Sequence, residues 1–256
     1  MGKSRTQGWG IRVIRRWRSL FQGLTLFVFY ACAPQTGSFT SECVLNDDQK
    51  STLKGYWSVK PIPLAVQAVD FSPSEIGAIE AAISTWNSFF QQSKGFQLYL
   101  AGDNLLDVVS TGGTRLTNRT VCAQQAVNSR GFTRHLMIYK VTSNWSYGSS
   151  VIGLTSTCPS RSANSTYPVY FSALMEINYQ HFFGAGLPVP DLQTIVLHEL
   201  GHLLGLDHSC TGAGCSEAPD DYKEAVMYPS VGFDGTQGHT KRTLMLNDQH
   251  RANCLY

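Results

Sequence analysis

The chain has 256 residues, of which 43% are hydrophobic and 15% charged, so it is long enough to bury a core and is not intrinsically disordered by composition. Its formal net charge is +2, but six of the 20 Lys and Arg residues precede the first acidic residue, Glu42, which leaves 14 basic against 18 acidic residues in the rest. This mildly acidic body excludes a basic nucleic-acid-binding surface, and we expect no nucleic-acid partner.

Residues 1–32 are predicted to be an export signal. A basic region leads into the short apolar run LFQGLTLFVFYACA, residues 20–33, whereas a membrane span needs roughly 20 apolar residues. FYAC is similar to the lipobox of bacterial lipoproteins, which makes Cys32 a candidate for lipidation; the small residues Ala31 and Ala33 also suit simple cleavage. We therefore expect an exported protein, either secreted or anchored by a lipid at the cell surface or in the periplasm.

Residues 33–56 are polar and are predicted to be a tether or short leader, and residues 57–256 to be one domain. Five apolar or alternating segments of this domain predict strands. They are residues 63–71, 96–100, 135–141, 151–157 and 173–179.

Two segments predict helices. Ser72 is a capping residue, Pro73 suits the first helical position and Glu75 completes a capping box. Apolar residues follow at helical spacing as far as Phe90. Asp191 caps a second apolar helix that runs to residue 204. The elements together predict an α+β fold, in which a twisted mixed sheet of about five strands is packed with helices.

The second helix carries the segment HELGHLLGLDHS, which contains three histidines. His198 and His202 are four residues apart, so they differ by about 40° of rotation and about 6 Å of rise and point to the same side of a helix. On a continued helix, His208 would lie about 240° round from His202 and about 9 Å further along. The helix must therefore end between them, and Gly205 can adopt the left-handed conformation that lets the chain turn back.

Three imidazoles and no fourth protein ligand are typical of a catalytic rather than a structural zinc site, because one position stays open for water. Glu199 lies next to His198 and is the candidate general base for that water.

This segment matches the HExxHxxGxxH signature of the metzincin metallopeptidases, and its LDHS ending resembles the matrixins. The sequence AVMYP at 225–229, with Met227 19 residues after His208, is similar to the methionine turn of that family. The chain end, 246–256, resembles the closing helix of a matrixin catalytic domain.

The resemblance implies a zincin-like fold with one catalytic Zn²⁺ bound by the three histidines and with Glu199 as the base. It implies that Met227 forms an apolar floor below the metal and that Tyr228 and Pro229 belong to a wall of the substrate pocket. Gly153 and Leu154 would lie on the sheet edge where a peptide substrate pairs.

The chain also departs from the matrixin pattern. The cysteine-switch motif is absent, and residues 158–170 lack the His and Asp pattern of the matrixin structural zinc and calcium sites. We therefore predict a single zinc ion and leave calcium open.

The chain has seven cysteines, and lipidation or removal of Cys32 leaves six, which suits three disulfides in an oxidising compartment. Six cysteines allow 15 pairings. Cys210 and Cys215 are the favoured pair because the TGAG linker between them is short and flexible; a zinc site built from the two is the alternative, and it lacks a second cysteine pair.

The leading functional hypothesis is a monomeric, exported zinc metalloendopeptidase that cleaves a protein or peptide substrate. A non-catalytic, zinc-containing surface lipoprotein for binding or adhesion is the alternative from a different class. A metallopeptidase acting on cell-wall peptides is a third possibility.

Overall fold

The structure is a computed structural model that describes residues 43–67, 70–100, 107–109, 115–117, 121–124, 136–160 and 165–256. The predicted export signal, with the lipidation candidate Cys32, lies outside the described residues. All described residues belong to one structural unit, Phe39–Tyr256.

The main sheet is mixed and has five strands, which agrees with the mixed α+β architecture predicted from the sequence. They are β1 (Leu64–Gln67), β2 (Asp107–Val109), β3 (Leu136–Val141), β4 (Gly153–Ser160) and β5 (Val169–Asn178). In the order β2-β1-β3-β5-β4, every neighbouring pair is parallel except the antiparallel pair of β4 and β5, so β4 is an edge strand. A small antiparallel pair, β6 (Phe233–Asp234) and β7 (Gln237–Gly238), lies outside this sheet.

Within the described residues, six α-helices accompany the strands. They are α1 (Asp47–Lys50), α2 (Pro73–Lys94), α3 (Val121–Gln124), α4 (Leu192–Leu204), α5 (Asp220–Glu224) and α6 (Leu246–Leu255). The last of these confirms the helix predicted at the chain end.

Both faces of the central strand β3 are buried. Leu136 and Ile138 belong to the larger hydrophobic core, which α2 and α4 share, while Met137, Tyr139 and Val141 belong to a second cluster on the opposite face. A strand covered on both faces is expected to be an almost continuous apolar run, and LMIYKV is one.

The predicted start of α2 is confirmed. The Ser72 side chain accepts a hydrogen bond from the Glu75 backbone N–H, and the Glu75 carboxylate accepts one from the Ser72 N–H at 2.6 Å. Pro73 occupies the first turn, where its missing N–H costs nothing. One face of the helix is buried through Ile79, Ile83, Trp86 and Phe90.

The strand predicted at residues 96–100 is wrong. This segment forms only an isolated bridge between Ile62 and Tyr99. The Asn87 side chain bonds both backbone groups of Tyr99, accepting from its N–H at 2.9 Å and donating to its carbonyl at 3.1 Å. Because a side chain occupies these groups, Tyr99 cannot pair on that side with a further strand. The strand β2 takes an edge position in the sheet and was not predicted.

The carbonyl groups at the end of α4 are all bonded, although a helix leaves its last four carbonyls without partners inside the helix. Gly201 and His202 accept from the backbone N–H groups that follow the helix. The Leu203 carbonyl accepts from the Trp57 indole at 2.7 Å, and the Leu204 carbonyl from the Tyr256 hydroxyl at 2.8 Å. Residues near the two ends of the described chain therefore fix the end of this helix.

Residues 43–56, which the sequence assigned to a tether, pack against the rest of the unit. Cys43 forms a disulfide with Cys254 in α6, and Leu53 is buried and forms a bridge with Leu206. The polar composition of this segment is compatible with this packing, because backbone and side-chain amide groups make many of its hydrogen bonds to the rest of the unit.

Two further disulfides join Cys122 to Cys158 and Cys210 to Cys215, so the favoured Cys210–Cys215 pair is present and those thiols do not form a zinc site. Three disulfides are typical of an oxidising, extracellular compartment. No helix among the described residues is long and apolar enough to cross a bilayer.

Candidate metal centre

Helix α4 presents His198 and His202 on the same side, with ring centroids 4.7 Å apart. Nδ1 of His198 lies 2.8 Å from the Val226 carbonyl, and Nδ1 of His202 lies 2.8 Å from the Leu206 carbonyl. A carbonyl oxygen can only accept, so in both rings Nδ1 carries the proton and Nε2 keeps a lone pair. Backbone carbonyls thus set both the tautomer and the orientation that metal-binding histidines need.

His208 returns to the first two histidines as the glycine break predicts. Helix α4 ends at Leu204, and Gly205 has φ 123°, in the region that residues with a side chain rarely adopt. A Cβ at this position would also collide with the backbone carbonyl of Gly55. After the turn, the His208 ring lies 5.2 Å from that of His198 and 4.8 Å from that of His202, measured between centroids.

The returning loop is held by backbone bonds to two distant segments. The Lys54 N–H donates to the Gly205 carbonyl at 2.8 Å, and the Asp207 N–H donates to the Thr52 carbonyl at 2.7 Å. On the other side, the Ser209 N–H donates to the Met227 carbonyl at 2.8 Å. The third histidine therefore depends on long-range contacts as well as on the local turn.

One ligand atom from each of the three histidines lies within 4.8 Å of the others, and among the described residues this is the group that could hold a metal ion. Burial is the main cause that lowers the pKa of each imidazole, to about 4 for His202, and the neighbouring imidazoles lower those of His198 and His202 further. The three histidines are half-buried, because they open on a cavity. The neutral imidazole, which is the metal-binding form, is therefore the one present near neutral pH.

Glu199 lines the same cavity as the three histidines, on the side of α4 that faces strand β4. Only 5% of the residue is exposed, and burial raises the pKa of Glu199 to about 7, although hydrogen bonds from Thr155 lower it. The Thr155 hydroxyl lies 2.8 Å from Oε2 of the carboxylate. Gly153 lies against the same carboxylate, because a Cβ built on it would be 2.7 Å from Oε1.

Met227 is fully buried and packs against Gly201 of α4, which places it directly next to the helix that carries two of the histidines. The carboxylate of Asp248, at the start of α6, accepts from the Val226 N–H at 2.8 Å and from the Met227 N–H at 3.1 Å. This carboxylate fixes the turn whose Val226 carbonyl orients His198.

The histidines and Glu199 open on a cavity of about 850 Å³. The structure places all four predicted substrate-binding residues on its walls: Gly153 and Leu154 in strand β4, and Tyr228 and Pro229 after the turn. Lys241 also lines this cavity, with its Nζ 4.9 Å from the centre of the Tyr228 ring.

Sequence reasoning missed Thr155, which stands in an ordinary strand pattern, and Asp248, which resembles a helix-capping carboxylate. It also missed the contribution of residues 43–56 to the His208 loop. The one signal for this segment was Cys43, since a cysteine that completes an even set implies that its segment is fixed to the fold.

No model of a known protein family matches the chain, and no curated protein matches it.

Proposed function

We propose that the protein is an exported zinc-dependent endopeptidase with a zincin-like fold of the metzincin type, as its HExxHxxGxxH motif implies. The observation that carries the proposal is one juxtaposition: a cluster of three imidazoles and a buried carboxylate, Glu199, line the same open cavity.

The donor set fits zinc. Imidazole nitrogens are common zinc ligands, and one ligand atom from each histidine lies within 4.8 Å of the others, so the three residues could hold one ion. Structural zinc sites use four protein ligands, whereas three ligands leave a position for water or substrate. The Nδ1 atoms of His198 and His202 are bonded to backbone carbonyls, so Nε2 of each ring is the nitrogen that would bind the ion.

A bound Zn²⁺ would supply Lewis acidity, lowering the pKa of water to about 7 and polarising the scissile carbonyl. Glu199 takes a proton from the attacking water and passes it to the leaving amine. A general base must be deprotonated to accept that proton, and a nearby Zn²⁺ would favour the ionised form of the Glu199 carboxylate, whose pKa burial raises in the metal-free protein.

The substrate is a protein or peptide that pairs with the outer edge of strand β4, which has no neighbouring strand among the described residues. Gly153 and Leu154 lie at the cavity on this edge, where an extended peptide can add a strand by backbone hydrogen bonding. Tyr228 and Pro229 form part of the wall that receives the side chain after the cleaved bond. We expect a monomer that is either secreted or anchored through lipidated Cys32.

The first test is Glu199→Ala, with zinc content and peptide cleavage both measured. The variant should keep about one zinc per chain and lose cleavage by a factor of about 10²–10⁴, the usual contribution of a general base. Glu80→Ala on α2 is the matched control and should cleave at the wild-type rate. Unchanged cleavage by Glu199→Ala would remove this residue from the mechanism.

Chelation separates the enzyme from a binding or adhesion lipoprotein that holds zinc structurally. The enzyme should lose cleavage and keep its fold when the metal is removed. Unfolding on chelation, with no cleavage detected before it, would favour the binding protein.

A further inference from the structure

Two residues of strand β4, Gly153 and Thr155, lie against the Glu199 side chain. Side chains alternate along a strand, so Gly153 and Thr155 share a face. Thr155 is paired with Met175 on β5, whose side chain belongs to the core that α4 also lines. The face that carries Gly153 and Thr155 is therefore the one that meets α4.

The Thr155 hydroxyl contacts two acceptors, and both belong to Glu199. Oγ1 lies 2.8 Å from Oε2 of the carboxylate and 3.1 Å from the backbone carbonyl of the same residue. A hydroxyl has only one proton, so the two oxygens share it, and the shorter distance favours the carboxylate; this contact holds the end of the Glu199 side chain near its own backbone.

Gly153 closes the other side of the carboxylate. A Cβ here would lie 2.7 Å from Oε1 and 2.9 Å from Cδ and Cγ of Glu199, closer than real Cβ contacts come. The Glu199 side chain is thus held between strand backbone on one side and the Thr155 hydroxyl on the other, and this leaves it little rotamer freedom.

We propose that Thr155 is a positioning residue, which holds the Glu199 carboxylate in the orientation in which it meets the attacking water. The inference rests on the proposed function, because the position of a base affects turnover only in an enzyme. Without the hydroxyl, the three side-chain torsions of Glu199 sample further rotamers, and a misplacement of about 1 Å can cost about 10²-fold in rate.

The closing experiment compares Thr155→Val, which keeps the shape and removes the hydroxyl, with Thr155→Ser, which keeps the hydroxyl. Thr155→Ala is a second variant without the hydroxyl, in case the valine does not fold. Thr85→Val is the control, because the Thr85 hydroxyl bonds a carbonyl within α2. For each we would measure kcat, KM, zinc content and the crystal structure around Glu199.

We expect Thr155→Val and Thr155→Ala to lower kcat at least about 10-fold, with KM and zinc content close to wild type, and Thr155→Ser to restore most of the turnover. In crystals of the hydroxyl-free variants, the Glu199 carboxylate should move or occupy more than one conformer. Wild-type kcat in these variants, or an equal loss in Thr155→Ser, would overturn the proposal.

Failure of the proposed function gives a different result. If the wild-type protein cleaves no peptide, the endopeptidase proposal fails, and the crystal structures still decide whether Thr155 fixes Glu199. If the wild type cleaves and Glu199 stays in place without the hydroxyl, only the role of Thr155 is refuted.

Discussion

Replacing Arg251 by Met should destabilise the protein and weaken the proposed metal site together. Arg251 lies in α6 and is 0% exposed. Its Nη1 donates to the Thr52 hydroxyl at 3.1 Å, to the Asp207 carbonyl at 2.9 Å and to the His208 carbonyl at 3.4 Å. One guanidinium thus joins the N-terminal segment to the loop that carries the third histidine.

The expected cost follows from these contacts. Removing one partner of a buried ion pair usually costs about 3–5 kcal/mol, and the carboxylate of Asp248 lies 3.8 Å from Nη2. We take the lower end, about 3 kcal/mol, because Asp248 also accepts three backbone N–H groups and because Nε and Nη2 make no hydrogen bond within the described chain. For a domain of this size the change corresponds to a fall in Tm of roughly 6–12 °C.

Denaturant unfolding and a zinc titration measure the two effects. Arg242→Met is the matched control, since the Arg242 side chain is 52% exposed and its surface ion pair with Asp191 should contribute at most about 1 kcal/mol. The reasoning is refuted if Arg251→Met unfolds within about 1 kcal/mol of wild type, or if it binds zinc as tightly as wild type does.

Three more predictions concern other parts of the fold. Burial raises the pKa of Glu75, but hydrogen bonds, first from Lys140, outweigh it and hold the pKa at about 2, so this carboxylate contributes stability that is present above pH 4.5 and is lost as the pH falls toward 2. Because the group is partly exposed, solvent screening reduces this contribution to roughly 1 kcal/mol. Urea unfolding from pH 7 to 3 should show this loss in the wild type and not in Glu75→Gln. Gly205→Ala should lower zinc affinity and cost more than the roughly 1–3 kcal/mol of backbone strain at φ 123°, because its Cβ would also collide with the Gly55 carbonyl; equal affinity would contradict the role of the turn. Replacing Cys43 and Cys254 by Ser should cost about 2–5 kcal/mol in thermal or denaturant unfolding, since their disulfide closes most of the chain into one loop, and an unchanged midpoint would show that packing alone fixes the segment.

The parts of the fold that the sequence predicted well are governed by local rules. The capping box of Ser72 and Glu75, the cap at Asp191 and the helix end at Gly205 involve residues within a few positions of one another. The pairing of Cys210 and Cys215 is local for the same reason, because only four residues separate them.

The parts that sequence reasoning missed are set by long-range contacts. The segment 96–100 has a strand-like composition, but the Asn87 side chain takes up the backbone groups of Tyr99. Gln49 looks like a tether residue, yet it is buried, donates to the Ser209 carbonyl and accepts from Asn247 in α6. No pattern within either segment shows these partners, which lie 12 or more residues away.

Zinc binding and folding should therefore be coupled, because the three histidines meet only when α4 ends at Gly205 and both ends of the described chain hold the His208 loop. A ligand that binds only the folded state adds about 2.7 kcal/mol at 100 times its Kd, which is roughly 5–10 °C in Tm for a domain of this size. A thermal scan of the metal-free protein with added zinc should show this rise, and His208→Ala should show much less of it, since two imidazoles remain. If zinc leaves the Tm of the wild type unchanged, the three rings do not close on one ion, and the proposed enzyme has no metal centre.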